Sequence, residues 1–298
     1  MEKLEFVEVS PRDGLQNEPN IVSTADKLAL IEHIIAAGFR RLEAGSFVNP
    51  KKVPQMADGD AVFAALPKRD DVTFIALALN LRGVERALAA GAREINYVFC
   101  ASDGFSVRNN GGTVEETFSV WPDVAAAARA GGARLSATIS TAFGCPFDGE
   151  VALSRVVKVA ERCASEDIFE LALADTIGVA APSDVHERVR AVKAAIPSRI
   201  QLRAHFHNTR NTALANAVAA VEEGVRVLDG SLGGIGGCPF APGAAGNVPT
   251  EDLLYMFNRM GFDTGVDLDA AIEGARFVGN VLGRTTPGMV SRAPKWPS

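Results

Sequence analysis

Short apolar, β-prone stretches alternate along the chain with longer stretches of helical spacing. The predicted strands are 4–9, 40–44, 72–79, 94–99, 134–140, 168–174, 201–205 and 225–228. The predicted helices include 24–37, 81–90, 114–130, 151–164, 183–195 and 212–223. A strand followed by a helical segment is the repeating unit, and this order predicts an α/β fold.

Glycine and serine mark several helix ends. Glycine tolerates the left-handed conformation of a helix C-terminus, and four predicted helices stop at one. These glycines are Gly38, Gly91, Gly131 and Gly224. Ser23 and Ser183 are predicted N-caps, because a serine hydroxyl can accept hydrogen bonds from the free amides of the first turn.

Eight strand–helix units favour a closed (β/α)8 barrel, the TIM barrel. The stretch FIALAL at 74–79 is apolar on both faces, as in parallel strands covered by helices. An open doubly wound sheet is the alternative, since periodicity does not prove closure. The first strand is not followed by Gly-x-Gly-x-x-Gly, and the candidate polar residues follow strands throughout the series, which favours the barrel.

One catalytic domain accounts for nearly the whole chain. The 298 residues are 47% hydrophobic and contain no linker, so we expect a single barrel domain over 1–283. An extra C-terminal helix is predicted at 267–282 within this domain. Residues 284–298 contain prolines and are predicted to form a mobile tail.

Charge and cysteine usage narrow the function classes. The net charge of −6 comes from dispersed residues, so the sequence predicts no nucleic-acid or membrane partner and favours a small-molecule substrate. The N-terminus carries charges where a signal peptide needs an apolar core, which predicts a cytoplasmic protein. The scattered cysteines are expected to be reduced thiols. They are Cys100, Cys145, Cys163 and Cys238.

A His-x-His pair ends the seventh predicted strand. His205 and His207 point to the same side because side chains alternate along a strand. Two hydrogen-bonded interior histidines are the alternative to a metal site. With Asp13 as an oxygen ligand and Asn247 as an amide carbonyl ligand, the mixed set would suit Mg2+ or Mn2+ better than a thiolate-rich zinc site.

Further candidate residues follow other strands at the same mouth of the barrel. Arg12 follows the first strand within SPRDG, where its guanidinium can face a developing oxyanion, although a surface ion pair with Asp13 is the ordinary alternative. Glu43 ends the second strand and Asp175 follows the sixth, and either acid can orient Arg12 or a metal-bound water. Both acids have a structural alternative as strand-end caps or salt-bridge partners.

A glycine-rich segment follows the eighth strand. Gly233, Gly234, Gly236 and Gly237 precede Cys238 and predict a mobile lid loop. A rigid phosphate cradle is the alternative, but no Lys-Ser/Thr follows as in a P-loop. A lone cysteine is also often a small buried apolar residue.

Taken together, these motifs resemble 3-hydroxy-3-methylglutaryl-CoA lyase, a family of the DRE-TIM metallolyase superfamily. The matching segments are SPRDGLQNE at 10–18, EAGSFVNPK at 43–51, VPQM at 53–56, GCPF at 144–147, DTIG at 175–178, HFH at 205–207 and GGCPFAPGAAGN at 236–247. They span nearly the entire chain in order. The cysteine loop is the most specific of them, because related acyl-CoA synthases with the same barrel do not usually carry it.

The resemblance implies cleavage of 3-hydroxy-3-methylglutaryl-CoA to acetyl-CoA and acetoacetate. It assigns the metal ligands to Asp13, His205, His207 and Asn247 by matched position. It also implies that Arg12 stabilises the enolate oxygen and that Cys238 is the loop cysteine needed for turnover. Glu43 and Asp175 match further functional acids.

Two departures from the family pattern bear on the substrate. The family usually has Asp and Tyr where this chain has Asn208 and Arg210, which makes these two residues candidates for substrate specificity. A lyase for a different 3-hydroxy-acyl-CoA, a Claisen-type condensing enzyme and a non-enzymatic acyl-CoA-binding barrel are the alternatives. A homo-oligomeric assembly stays open.

Overall fold

Eight parallel strands close into a barrel in sequence order. The computed structural model describes residues 1–237 and 246–294. The strands are β1 Glu5–Glu8, β2 Arg41–Ser46, β3 Thr73–Ala78, β4 Glu94–Cys100, β5 Arg134–Ser140, β6 Glu170–Asp175, β7 Gln201–Phe206 and β8 Val227–Gly230. The barrel closes where Phe6 of β1 pairs with Leu228 of β8. The predicted TIM barrel is therefore confirmed over the open sheet.

Helices surround this barrel. They are α1 Thr24–Ala36, α2 Gly59–Ala65, α3 Leu81–Ala89, α4 Asp103–Asn109, α5 Val114–Ser119, α6 Trp121–Ala130, α7 Leu153–Cys163, α8 Pro182–Ala195, α9 Ala213–Glu222, α10 Thr250–Arg259 and α11 Leu268–Leu282. Helix α11 is the predicted extra helix, and Asp267 caps it by accepting from the amide of Ala270. Within residues 1–237 and 246–294, no helix is both long and apolar enough to cross a membrane.

Some helix boundaries differ from the predictions. The segment 114–130 forms two helices that meet at Val120, since Pro122 in the first turn of α6 has no amide to continue the earlier hydrogen-bond series. The Ser183 cap is wrong, because α8 begins at Pro182 and places Ser183 in the first turn. Ser23 is a true cap, with its hydroxyl accepting from the amide of Asp26.

The glycine stops are confirmed at three of four positions. Gly38, Gly91 and Gly224 have positive φ angles. Gly131 is right-handed instead, and the left-handed residue is the next one, Gly132 at φ +69°. Gly131 is the C-cap of this helix, which ends at Ala130 as predicted.

Residues 284–294 pack against the barrel. Arg284 forms an ion pair with Glu18, and the Asp252 carboxylate accepts hydrogen bonds from the amides of Met289 and Val290. Ser291 is buried. The part of the predicted tail that the structure describes is therefore anchored rather than mobile.

Charged and polar side chains occupy the inside of the barrel, while apolar residues pack between the strands and the helices. At the N-terminal end, the Arg41 guanidinium contacts Glu94 at 2.6 Å and Glu170 at 2.9 Å. Val7, Val9, Ile75 and Val227 form a small apolar cluster that is separate from the main core. Polar side chains continue through the barrel interior to its C-terminal mouth.

Candidate active site

A cavity of about 410 Å3 opens at the C-terminal mouth of the barrel. Its lining includes six of the predicted site residues, namely Arg12, Asp13, Glu43, His205, His207 and Gly237. A short π-helical turn, Ser10–Gly14, follows β1 and turns the chain sharply enough to bring two consecutive side chains into the cavity. The barrel thus gathers residues that are up to 225 positions apart, the separation of Arg12 and Gly237 along the chain.

Asp13, His205 and His207 converge at one point of this cavity. Ligand-capable atoms of the three side chains all lie within 4.8 Å of one another. His207 Nε2 is 3.7 Å from Asp13 Oδ2, and the amide of Asn247 donates to the same carboxylate oxygen at 2.8 Å. An isolated backbone bridge pairs His207 with Asn247 and fixes their proximity.

The free atoms of this cluster suit a divalent cation. The Asn247 amide nitrogen donates to Asp13 and to the Ile235 carbonyl, and this arrangement leaves the amide oxygen Oδ1 buried without a hydrogen-bond partner among the described residues. A buried unsatisfied oxygen is costly unless something binds it. Carboxylate, imidazole and amide donors without thiolate match Mg2+ or Mn2+. The residues present therefore fit the predicted metal.

Asp229 at the end of β8 orients His205. His205 Nδ1 lies 2.7 Å from Asp229 Oδ1, and since a carboxylate only accepts, we assign the proton to Nδ1. Burial lowers the pKa of His205, but the charge and hydrogen bond of Asp229 outweigh it, and the pKa is raised. This partner directs the second ring nitrogen to the cavity side.

The Glu43 carboxylate holds the Arg12 guanidinium in place. Its Nε donates to Glu43 Oε2 at 2.6 Å, and a second guanidinium nitrogen pairs with Asp13. Arg12 is only 8% exposed, so the alternative of a surface ion pair does not apply. The other oxygen of Glu43 accepts from Asn96 at 2.9 Å.

The two acids beside Arg12 are charged despite their burial. Burial raises the pKa of Asp13, but Arg12 and the histidines hold that pKa well below its usual range. Burial likewise raises the pKa of Glu43, and the charges of Arg12 and Arg203 bring it below its ordinary value. The site thus presents ionised carboxylates beneath a fixed guanidinium.

Asp175 differs from the other candidates. Its two carboxylate oxygens accept from the amides of Val179 and Ala180, at 2.9 and 3.0 Å. It is absent from the cavity lining, where its neighbours Ala174 and Thr176 are found. These contacts match the strand-end cap that the sequence left open, and a direct catalytic role stays a prediction.

Neither specificity candidate reaches the cavity within the described residues. Arg210 is exposed and donates to the carbonyls of Ile177 and Gly178, at 3.2 and 2.8 Å. The side-chain oxygen Oδ1 of Asn208 accepts a hydrogen bond from the backbone amide of Ala213 at 3.3 Å. Both side chains stabilise loops beside the site, so their part in specificity stays a prediction.

The first residues of the glycine-rich segment are held by contacts with the rest of the barrel. Gly233 donates its amide to Glu251, and Gly233 and Gly234 adopt positive φ angles of 73° and 67°. Gly236, at φ +109°, lies against Asn247, and the Gly237 carbonyl accepts from the side chain of Asn17. Cys238 lies outside the described residues, so its role and the lid stay predictions.

The sequence reasoning missed the residues that support the site from within the barrel. They are Asn96, Thr138, Glu170, Arg203 and Asp229. The strands RLSATIS and QLRAHF carry polar residues at every second position, and this alternation indicates one polar face. That period was the available signal for a polar barrel interior.

The upper cavity wall combines apolar and polar side chains. The apolar part includes Val48, Val53, Leu77, Leu79, Val98 and Phe105. The polar part includes Asn49, Lys52, Arg108 and Asn109. A narrow charged floor below a mixed wall suits a ligand with one polar reacting end and a longer body.

Comparisons with known proteins show which family the chain belongs to. The family model HMGL-like matches residues 3–278. The chain is 44% identical to the (R)-citramalyl-CoA lyase of Chloroflexus aurantiacus, over 100% of this chain and 97% of that protein. It is 42% identical to the 3-hydroxy-3-isohexenylglutaryl-CoA/hydroxymethylglutaryl-CoA lyase of Pseudomonas aeruginosa, over 98% and 97%.

Solved structures give the same result. An HMG-CoA lyase from Acinetobacter baumannii in complex with coenzyme A and 3-methylmalate superposes with a TM-score of 0.94 at 42% identity, covering 98% of this chain and 95% of that one. The family match and these full-length relatives confirm the resemblance seen in the motifs. The chain therefore belongs to the HMGL-like family, which includes hydroxymethylglutaryl-CoA lyase.

Proposed function

We propose that this protein is a divalent-metal-dependent acyl-CoA lyase that cleaves 3-hydroxy-3-methylglutaryl-CoA to acetyl-CoA and acetoacetate. The convergence of Asp13, His205, His207 and Asn247 beside Arg12 in one cavity carries the proposal. Similarity to lyases of two acyl-CoA substrate types supports the reaction class.

The four converging residues are the proposed metal ligands. Asp13, His205, His207 and Asn247 would hold Mg2+ or Mn2+, which would supply a Lewis acid that lowers the pKa of the substrate's tertiary hydroxyl. Asp229 holds His205 for this role, and the ionised Asp13 contributes negative charge.

The bond changes require a fixed cation beside the metal site. A basic group of the site takes the proton of the tertiary hydroxyl, the carbonyl of acetoacetate forms as the C2–C3 bond breaks, and the electron pair of that bond moves into the thioester as an enolate. The Arg12 guanidinium, held by Glu43, faces the cavity and stabilises that oxyanion. Protonation of the enolate carbon then gives acetyl-CoA.

Cys238 and His205 are the candidates for the group that protonates the enolate carbon. Cys238 is the proposed loop residue needed for turnover, on the strength of the GGCPF motif. His205 lines the cavity, but its Nδ1 proton is directed at Asp229 and its other ring nitrogen at the proposed metal, so it is the weaker candidate. Cys238→Ser tests the loop residue: a lower kcat with unchanged metal affinity would support Cys238 as the donor, and a wild-type kcat would exclude it.

A second candidate substrate is citramalyl-CoA, favoured by the 44% identity to a citramalyl-CoA lyase. Its acyl group is one methylene shorter than that of 3-hydroxy-3-methylglutaryl-CoA and carries the same tertiary alcohol. The same bond scission releases acetyl-CoA and pyruvate. The two substrates therefore differ in where the free carboxylate sits, not in the chemistry required.

The test is an assay of acetyl-CoA release from both thioesters and from longer 3-hydroxy-3-alkyl homologues. Purified protein with Mg2+ or Mn2+ should cleave at least one, with kcat/KM highest for 3-hydroxy-3-methylglutaryl-CoA, and a chelator should abolish turnover. A higher kcat/KM for citramalyl-CoA would identify that thioester as the substrate instead. No acetyl-CoA release from any thioester would refute the proposed lyase activity. Condensation of acetyl-CoA with a keto acid would release free thiol and identify a synthase instead.

A further inference from the structure

Arg203 lies on the barrel axis beneath the proposed metal site. It precedes His205 by two residues on β7, so both side chains point into the barrel. Its side chain is 2% exposed, and it contributes to the floor of the cavity. None of the sequence motifs includes it.

Three carboxylates surround the Arg203 guanidinium. One terminal nitrogen, Nη2, is 3.6 Å from Glu43 Oε1, and Nε is 3.5 Å from both Asp229 Oδ2 and Glu170 Oε1. Nη2 donates a hydrogen bond to the hydroxyl of Thr138 at 3.4 Å, whereas Nε and Nη1 have no hydrogen-bond partner among the described residues. The guanidinium therefore balances several buried negative charges at once.

Two of these carboxylates each contact Arg203 through one oxygen and a predicted site residue through the other. Glu43 uses Oε2 for Arg12 and turns Oε1 to Arg203. Asp229 uses Oδ1 for His205 and turns Oδ2 to Arg203. One buried cation thus contacts the partner of the oxyanion-binding arginine and the partner of a metal-ligating histidine.

Removing this cation would leave carboxylates buried without their countercharge. Such groups either take up protons or move apart, because an uncompensated charge in a protein interior is strongly unfavourable. Either response changes the acceptor geometry offered to Arg12 and to His205. A small displacement of these groups is enough to reduce catalysis, since reacting groups must be held in near-attack geometry.

We propose that Arg203 is a positioning residue that fixes Arg12 and His205 relative to each other by holding Glu43 and Asp229 together. The inference rests on the proposed function for the roles of Arg12 and His205. It assigns no contact with substrate to Arg203. It predicts that the metal site and the oxyanion site fail together when this one cation is lost.

Arg41 is a matched control within the same barrel. It is also a buried interior arginine, and its ion pairs are with Glu5, Glu94 and Glu170 at the opposite end. Arg41 and Arg203 share Glu170, but the carboxylates of Glu43 and Asp229 are outside the ion pairs of Arg41. Replacing either arginine by methionine removes one buried cation, and the side chain that is removed is the same in both variants.

The experiment compares Arg203→Met, Arg203→Lys and Arg41→Met by Mn2+ titration, thermal unfolding and steady-state kinetics. In Arg203→Met we expect Mn2+ affinity to fall by about 10-fold or more, as for other changes behind metal ligands, and kcat to fall by about 100-fold. KM should change far less than kcat. Arg203→Lys should recover part of both losses, because it keeps the charge without the planar fork. Arg41→Met should lower the melting temperature comparably but leave Mn2+ affinity within about threefold.

Several outcomes would overturn the inference. Mn2+ affinity and kcat like those of the wild type in folded Arg203→Met would do so, as would equal losses in Arg41→Met. If Arg203→Met does not fold, Arg203→Gln replaces it with the same expectations. Wild-type protein that binds Mn2+ but cleaves no thioester would refute the proposed function and still leave the titration as a test of Arg203; wild-type protein without Mn2+ affinity would overturn both.

Discussion

His205 Nδ1 lies 2.7 Å from Asp229 Oδ1, across the pair formed by the last two strands of the barrel. Asp229 stands two residues beyond Val227, which pairs with Arg203, so the strand register places Asp229 beside His205. The carboxylate fixes the tautomer and direction of the imidazole. The sheet itself, and not a flexible loop, therefore positions this proposed metal ligand.

Replacing Asp229 by asparagine should weaken metal binding. An asparagine amide keeps the size of the side chain but removes the charge that raises the pKa of His205, so the imidazole loses its fixed orientation. We expect Mn2+ affinity to fall by about 10- to 100-fold. Calorimetric Mn2+ titration checks this, and Asp252→Asn, at a carboxylate that binds the amides of Met289 and Val290, is the control that should keep full affinity. Equal affinity in the Asp229 variant and the wild type would contradict the role given to Asp229.

Arg12→Gln should lower kcat with little effect on metal affinity. Glutamine can still donate one hydrogen bond toward Glu43, but it carries no charge for the enolate oxygen. Loss of one oxyanion donor typically lowers kcat by about 100- to 1,000-fold. Acetyl-CoA release and Mn2+ titration measured on the same sample distinguish the two effects. A variant that binds Mn2+ normally and turns over at the wild-type rate would remove Arg12 from the mechanism.

Gly236→Ala should disturb Asn247. A Cβ at Gly236 would lie 2.6 Å from the Asn247 amide nitrogen and 3.1 Å from the Asp13 carbonyl, at a φ of +109°. Gly91→Ala is a matched control, because Gly91 has a φ of +88° and no atom within 4 Å of the new Cβ. Both variants should lose on the order of 1 kcal/mol of stability through backbone strain. Only Gly236→Ala should also lose Mn2+ affinity, by at least about 10-fold.

Glu8 gives a pH dependence of stability that is independent of the metal site. Burial raises the pKa of Glu8 to about 7, against hydrogen bonds from Ser10, Thr250 and Leu232 that lower it. The unfolded chain has the ordinary value of 4.5. Between these two values the folded protein keeps a proton that the unfolded chain releases, so the Glu8 contribution to stability falls as pH rises from about 4.5 to 7.

Glu8→Gln should remove this pH dependence. The free energy of unfolding of the wild type should fall relative to that of the variant by on the order of 3 kcal/mol across the window. Urea unfolding at several pH values measures the difference. Glu85→Gln, at an exposed position on α3, is the control and should leave the pH slope of the wild type unchanged. A constant difference between wild type and Glu8→Gln would show that Glu8 does not titrate in this range.

The sequence alone determined the fold class and the residues that converge in the candidate metal cluster. Strand and helix periods depend on local backbone geometry, so eight strand–helix units could be counted and the barrel predicted from them. Parallel strands share one carboxyl-terminal mouth, which is why Arg12, Asp13 and His205 could be placed together. Local chemistry was less decisive at helix boundaries, as the break before Trp121 and the wrong cap at Ser183 show.

Only the tertiary structure decided which polar groups are partners. Asp175 and Glu43 are both strand acids, but the local turn satisfies the oxygens of Asp175 with backbone amides, whereas Glu43 points inward to Arg12. The pairing of Arg203 with Glu43 and Asp229 joins the consecutive strands β7 and β8 to β2, which is far from them in sequence. Barrel closure and register set these distances, and the stability of each buried charge depends on its neighbours across the barrel, which residue spacing along one strand does not specify.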